Sequence, residues 1–183
     1  MLDARLKGLY TCLTSMLLPI VKAQPPQQND VRLIAFGASN TILGDVVVEI
    51  DNAQAFSHFA DFARLFLADH QAIHYGLILT GRVEPGESTD APGVVLRAAC
   101  TENGRPNANE YLIICGTDDC NLIWTHPLET VSTSAPFSPG AGRFFVSQNP
   151  PFITPGWLVD PSKDLSPEAR DALRRLYSAE TKH

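Results

Sequence analysis

Three groups of residues carry side chains that could do chemistry. Ser39 follows the apolar run of residues 33–36 and then Gly37-Ala38, the place of a serine presented at the end of a buried strand. A hydroxyl held there attacks an acyl carbon once a neighbouring base takes its proton. Cys115 and Cys120 bracket Gly116-Thr117-Asp118-Asp119. Two thiols at that spacing can close a disulfide or, with Asp118, Asp119 or His126, hold a metal ion. The third group is the five histidines, His58, His70, His74, His126 and His183, whose ring titrates near neutral pH.

Residues 33–41, Leu-Ile-Ala-Phe-Gly-Ala-Ser-Asn-Thr, resemble the first block of the SGNH (GDSL) esterases, in which a strand ends in Gly-Asp-Ser and the serine attacks an ester. The resemblance implies a small hydrolase with Ser39 as its nucleophile. The chain departs from that pattern at Ala38, where the family has aspartate. It departs again near the C-terminus, where the family's Asp-x-x-His supplies the base and this chain has no histidine before His183. The strands after Ser39 also lack the alternating helices of such an α/β fold. Ser39 is therefore expected in a turn, with Gly37 and Asn40 supplying the positive φ that turns often need. No catalytic set is assigned.

The Cys115–Cys120 stretch reads as a tight hairpin with ordinary turn residues between two strands. The two cysteines would face each other at its mouth, as free thiols or, in an oxidising compartment, as a disulfide. A metal centre is not expected. His126 lies about 20 Å along the strand from Cys120 at 3.3 Å per residue, and antiparallel pairing sends Cys100 to the opposite end of the sheet. His70 and His74 are separated by a helix end, and no H-x-x-x-H or H-E-x-x-H pattern occurs. There is no glycine-rich phosphate loop and no dinucleotide fingerprint, so no cofactor is expected.

The elements that would position these residues follow from pattern. The chain has 183 residues, 44% hydrophobic and 19% charged, enough for one domain with its own core. Its 14 Lys and Arg are scattered under a net charge of −6, which argues against nucleic acid as a partner. No apolar run is long enough to span a membrane. Short β-branched strands are expected at 31–36 and 46–50, then a helix capped by Asp51 or Asn52. Its Phe56, Phe59, Phe62 and Phe66 mark it as the core helix. Further strands at 74–83, 93–100, 110–115 and 121–130 suggest an antiparallel meander, with 111–115, apolar on both faces, at its centre. Eight of the 14 prolines fall between 127 and 167, broken by a strand at 143–147, and predict an extended surface segment. Ser166-Pro167-Glu168 then opens a last helix. The fold class is α+β: a mainly antiparallel sheet or partial barrel, with the Phe-rich helix packed on it and helices at both termini.

The N-terminus carries the functional reading. Leu2, Leu6, Leu9, Leu13, Met16 and Ile20 are spaced 4, 3, 4, 3, 4, one apolar seam on a helix that Pro19 should end near Leu18. Residues 23–30, rich in Pro and Gln, read as an extended spacer. The division is an interaction helix at 1–22, the spacer at 23–30 and one globular domain at 31–183. A signal peptide ending at Val21-Lys22-Ala23 is the competing reading, opposed by Asp3 in its basic region and by Thr11, Thr14, Ser15 and Pro19 in its apolar one. The expected function is non-enzymatic: contact with another protein, or with copies of itself, through Leu2, Leu6, Leu9, Leu13 and Met16. Such a protein would work in the cytoplasm or within an assembled particle. The alternatives are the Ser39 hydrolase and a small-ligand binder built on a partial barrel.

Overall fold

The structure is a computed structural model that describes residues 4–85, 94–99, 110–128, 142–148 and 156–180. After an N-terminal helix, strands β1 (Asp30–Phe36) and β2 (Ile42–Glu49) form a hairpin with Val31 opposite Val48. Helix α3 (Ala53–Asp69) starts where the sequence places it: the Asn52 side-chain oxygen accepts from the Ala55 N–H at 2.8 Å. There follow β3 (His74–Pro85), β4 (Val94–Ala98), β5 (Glu110–Gly116), β6 (Cys120–Pro127), β7 (Arg143–Gln148) and helix α4 (Pro167–Glu180).

The strands make one antiparallel seven-stranded sheet in the order β2-β1-β3-β5-β6-β7, with β4 on the far half of β3. The fold is α+β, and among the described residues the sheet is open rather than closed into a barrel. Of the expected meander only β5, β6 and β7 follow in order, because β4 pairs back on β3 and β5 then also pairs with β3. Helix α3 carries the chain back across the first hairpin, so β3 enters beside β1 and not beside β2. Strand β5 sits between β3 and β6 and is buried along its whole length, as its two-faced apolar run requires.

Each face has its own core. On one face Phe59 and Phe62 of α3 pack with Tyr177 of α4 and with Trp157 over Leu33, Leu77 and Ile114. Arg174 donates to both carboxylate oxygens of Asp69 at 2.9 and 2.8 Å, joining α4 to α3. Trp157 is 5% exposed, so at least this part of the proline-rich stretch 127–167 plugs the core instead of running over the surface. Residues 129–141 and 149–155 of that stretch lie outside the described residues, as does Cys100.

The N-terminal helix covers the other face. It runs from α1 (Ala4–Cys12) through a π-helical turn (Leu13–Leu17) into α2 (Leu18–Ala23). Leu9, Cys12, Leu13, Leu17 and Val21 pack on Ile34, Phe36, Ile78, Ile113 and Trp124. This corrects the picture of a helix held away from its own domain. The 24–29 stretch is a fastened return loop rather than an open spacer. Thr80 Oγ1 donates to the Gln28 carbonyl at 2.9 Å, and Arg32 Nη1 donates to the Gln24 side chain at 2.8 Å. Helix geometry also continues past Leu18. The π turn takes up an extra residue and leaves Pro19 in the first turn of α2, where no N–H is demanded of it. That extra residue rotates the buried face onto Leu17 and Val21 and leaves Met16 and Ile20 half-buried.

Gly76 makes this docking possible. A Cβ there would lie 2.5 Å from Leu17 Cδ2 and 3.1 Å from Phe36 Cε2. Gly76→Ala is expected to cost about 1–3 kcal/mol, the usual range for overpacking a filled core. Urea unfolding of the variant, with hydrogen exchange over residues 9–21, would show the loss concentrated in the helix. Wild-type protection there would mean that Leu17 yields without loosening the contact.

Candidate functional site

Ser39 lies in the Ala38–Asn40 3-10 turn and is exposed. The turn is closed by the Gly37 N–H donating to the Thr41 carbonyl at 2.8 Å and by Thr41 Oγ1 donating to the Ala38 carbonyl at 2.9 Å. The positive φ falls on Ser39 (56°) and Asn40 (59°), whereas Gly37 is at −94°. Gly37 serves by leaving room: a Cβ would stand 3.1 Å from a Leu43 methyl. Among the described residues no hydrogen bond or ion pair reaches the Ser39 hydroxyl. The local chemistry is that of a turn.

The 115–120 hairpin is tighter than its sequence suggests. The Thr117 N–H donates to the Cys120 carbonyl at 2.8 Å, and the register puts Gly116 opposite Asn121 and Cys115 opposite Leu122. Cys115 and Cys120 therefore share a face without being directly paired; both are buried and neither is in a disulfide. The loop carboxylates serve the fold. Asp119 pairs with Arg5 of the N-terminal helix and accepts from Thr117 Oγ1 at 2.9 Å. Gly116 is needed beside Tyr75, whose phenolic oxygen would be 2.4 Å from a Cβ there. Burial holds the Tyr75 phenol protonated, well above its ordinary pKa.

Among the described residues the histidines do not converge, and His183 lies outside them. His58 is exposed, and His70 Nδ1 lies 2.8 Å from the Phe66 carbonyl. His126 is buried against Trp124, with ring centroids 4.9 Å apart. Among the described residues no group of three or more His, Cys, Asp or Glu side chains is placed to hold a metal ion. His74 differs from the others. Its ring stacks on Phe36 at 5.2 Å, and its Nε2 is buried without a partner.

Of the seam residues, Leu9 (4% exposed) and Leu13 (0%) are in the core, and Leu6 and Met16 pack half-buried against it. Leu2 lies outside the described residues. Burial on the chain's own sheet leaves Leu9 and Leu13 no surface for a partner.

Two features escaped the sequence. One is a thiol–imidazole cluster of Cys12, Cys115, Cys120 and His74, gathered from α1 and three strands at one end of the helix-covered face. Its only sequence signal is the even spacing that puts His74, Gly76 and Ile78 on one strand face. The other is an apolar strip. Among the described residues strand β7 ends the sheet, and its Phe144 and Val146 stand on the helix-covered face at 42% and 49% exposed. Tyr10, on the outward side of α1 and 46% exposed, stacks near Phe144 with centroids 5.7 Å apart. The helical layer stops above β6 and leaves β7 uncovered by it. No protein-family model matches this chain, and neither does any curated protein or solved structure.

Proposed function

We propose that this is a non-enzymatic protein that works by protein–protein contact, and that the contact strip is Tyr10, Phe144 and Val146 rather than the Leu9–Leu13 side of the helix. The observation that carries the reading is that strip: aromatic and β-branched side chains, open to solvent, continuous through Trp124 with a buried core. Large aromatics at the centre of a desolvated patch supply much of the binding energy in known interfaces. The edge position of β7 adds backbone groups that a second strand could pair with. Two copies meeting along β7 would each cover the other's Phe144 and Val146.

Size-exclusion chromatography with light scattering tests this directly. Wild type is expected to run as a dimer or larger at tens of micromolar, and Phe144→Glu and Val146→Asp are expected to return the monomer mass with a native circular dichroism spectrum, because neither side chain is in a core. A wild-type monomer, or variants that keep the wild-type mass, would remove self-association as the role of the strip. The hydrolase reading is tested separately by an ester panel on wild type and Ser39→Ala, where equal and negligible rates are expected.

A further inference from the structure

The cluster at the helix–sheet contact has a chemistry of its own. Cys12 is the last residue of α1 and borders the π-helical turn, and it is fully buried, as is Cys115 in the middle of the sheet. The register places Gly76 opposite Cys115 and Phe36 opposite His74, so His74 and Cys115 stand on neighbouring strands, on the face that α1 covers. Cys12 comes down on this face from above and packs in the same buried cluster as Cys115 and Cys120. Cys120 shares the face, but Cys115 has Leu122, not Cys120, as its cross-strand neighbour. Three buried thiols and an imidazole with an unpartnered Nε2 are more polar chemistry than packing a helix onto a sheet requires.

We propose that Cys12 and Cys115 are a reversible dithiol–disulfide pair that latches the N-terminal helix to the central strand. The oxidant is a low-molecular-weight disulfide such as oxidised glutathione. The Cys12 thiolate attacks one sulfur of that disulfide, its S–S bond breaks, and one thiolate leaves. Cys115 then attacks the Cys12 sulfur of the mixed disulfide, releasing the second thiolate. The protons of Cys12 and Cys115 end on the two released thiols. One external disulfide is reduced, one internal disulfide forms, and the balance closes.

The order of attack follows from the surroundings. Cys12 rides on the helix and moves outward when it lifts, whereas Cys115 stays fixed in β5, so Cys12 meets the oxidant first. In the docked state Cys115 and His74 also favour the Cys12 thiolate over the opposing effect of burial. The neighbouring Cys12 and burial both push the Cys115 thiol up, so in the docked state it keeps its proton. Burial also means that the oxidant reaches Cys12 only when the helix lifts, so the latching rate reads how often it does. The π-helical turn next to Cys12 is the natural place for that opening, since its wider turn departs from regular helix geometry at the edge of the contact.

The test uses the full chain. Aliquots are equilibrated across ratios of oxidised to reduced glutathione, alkylated without reduction, and digested with trypsin and an Asp-directed protease. Cleavage before Asp118 and Asp119 separates Cys115 from Cys120, so mass spectrometry reads the pairing directly. The expected result is one cross-link, Cys12 to Cys115, that grows with the ratio and is reversed by dithiothreitol. After nicking at Lys22, the oxidised helix should stay attached on a non-reducing gel and the reduced one should not. Cys120→Ser should keep the cross-link, and Cys115→Ser should stop at a mixed disulfide on Cys12. If either variant fails to fold, the wild-type peptide map still decides. A Cys115–Cys120 link, a Cys12 mixed disulfide that never resolves in wild type, or four alkylated cysteines at every ratio would each overturn the proposal.

Discussion

A chain lacking residues 1–23 is expected to lose its cooperative melt and to aggregate or bind a hydrophobic dye. The helix buries Leu9, Leu13, Leu17 and Val21 and shields Ile34, Phe36, Ile78, Ile113 and Trp124 from water. Full burial of one aliphatic side chain contributes about 1.5–3 kcal/mol. The four on the helix alone therefore amount to as much as many domains have in total, about 5–15 kcal/mol. The uncovered side would also expose the apolar face of four neighbouring strands at once. Leu13→Asp should act the same way by a different route, since a carboxylate at a fully buried position has no partner to repay its desolvation. Circular dichroism melts and dye binding on both variants decide the matter. A truncated chain that melts like wild type would put the helix back among the detachable interaction elements that its seam suggests.

That seam shows where sequence reading stops. A 4-3 spacing says that one side of a helix must be buried, but not whether the burying surface belongs to the same chain. The polar, proline-containing 24–29 stretch gave the wrong cue, because its fastening depends on Arg32 and Thr80, which lie on strands far apart in sequence. The π turn had no visible signature either, so the buried positions after Leu13 were displaced by one residue. By contrast, the strands, the Asn52 cap, the central place of β5 and the Phe-rich helix were legible, since each depends on local periodicity or a local hydrogen bond. The thiol cluster was not. It draws on α1 and three strands, and only the strand register brings them together. The Tyr10–Phe144 strip was hidden for the same reason, as a pairing across the fold between two residues that look ordinary alone.

Phe59→Ala should be the most damaging single truncation of an aromatic side chain in α3, at about 3–5 kcal/mol. Phe59 is fully buried and sits at the meeting point of three parts of the fold. Its ring lies edge-on to Trp157 and to Tyr177, each at 6.1 Å between centroids, and is tilted against Phe56 and Phe62 at the same distance. Removing it takes away the transfer energy of the ring, the aromatic contacts, and the surface on which α4 and Trp157 dock. The hole cannot close easily, because Leu33 and Leu77 below it belong to the paired strands β1 and β3. For a chain of this size the melting temperature should fall by about 10 °C, and Phe59→Leu should lie between the variant and wild type. Phe66, which the sequence put on the same footing, is only half-buried and leans on His70 at 4.3 Å, so Phe66→Ala should cost markedly less. Urea unfolding of the three variants reads the ranking. Equal losses at 59 and 66 would mean that the core over the sheet is not centred on Phe59, and a wild-type midpoint for Phe59→Ala would mean that α3 does not hold α4 and Trp157 in place.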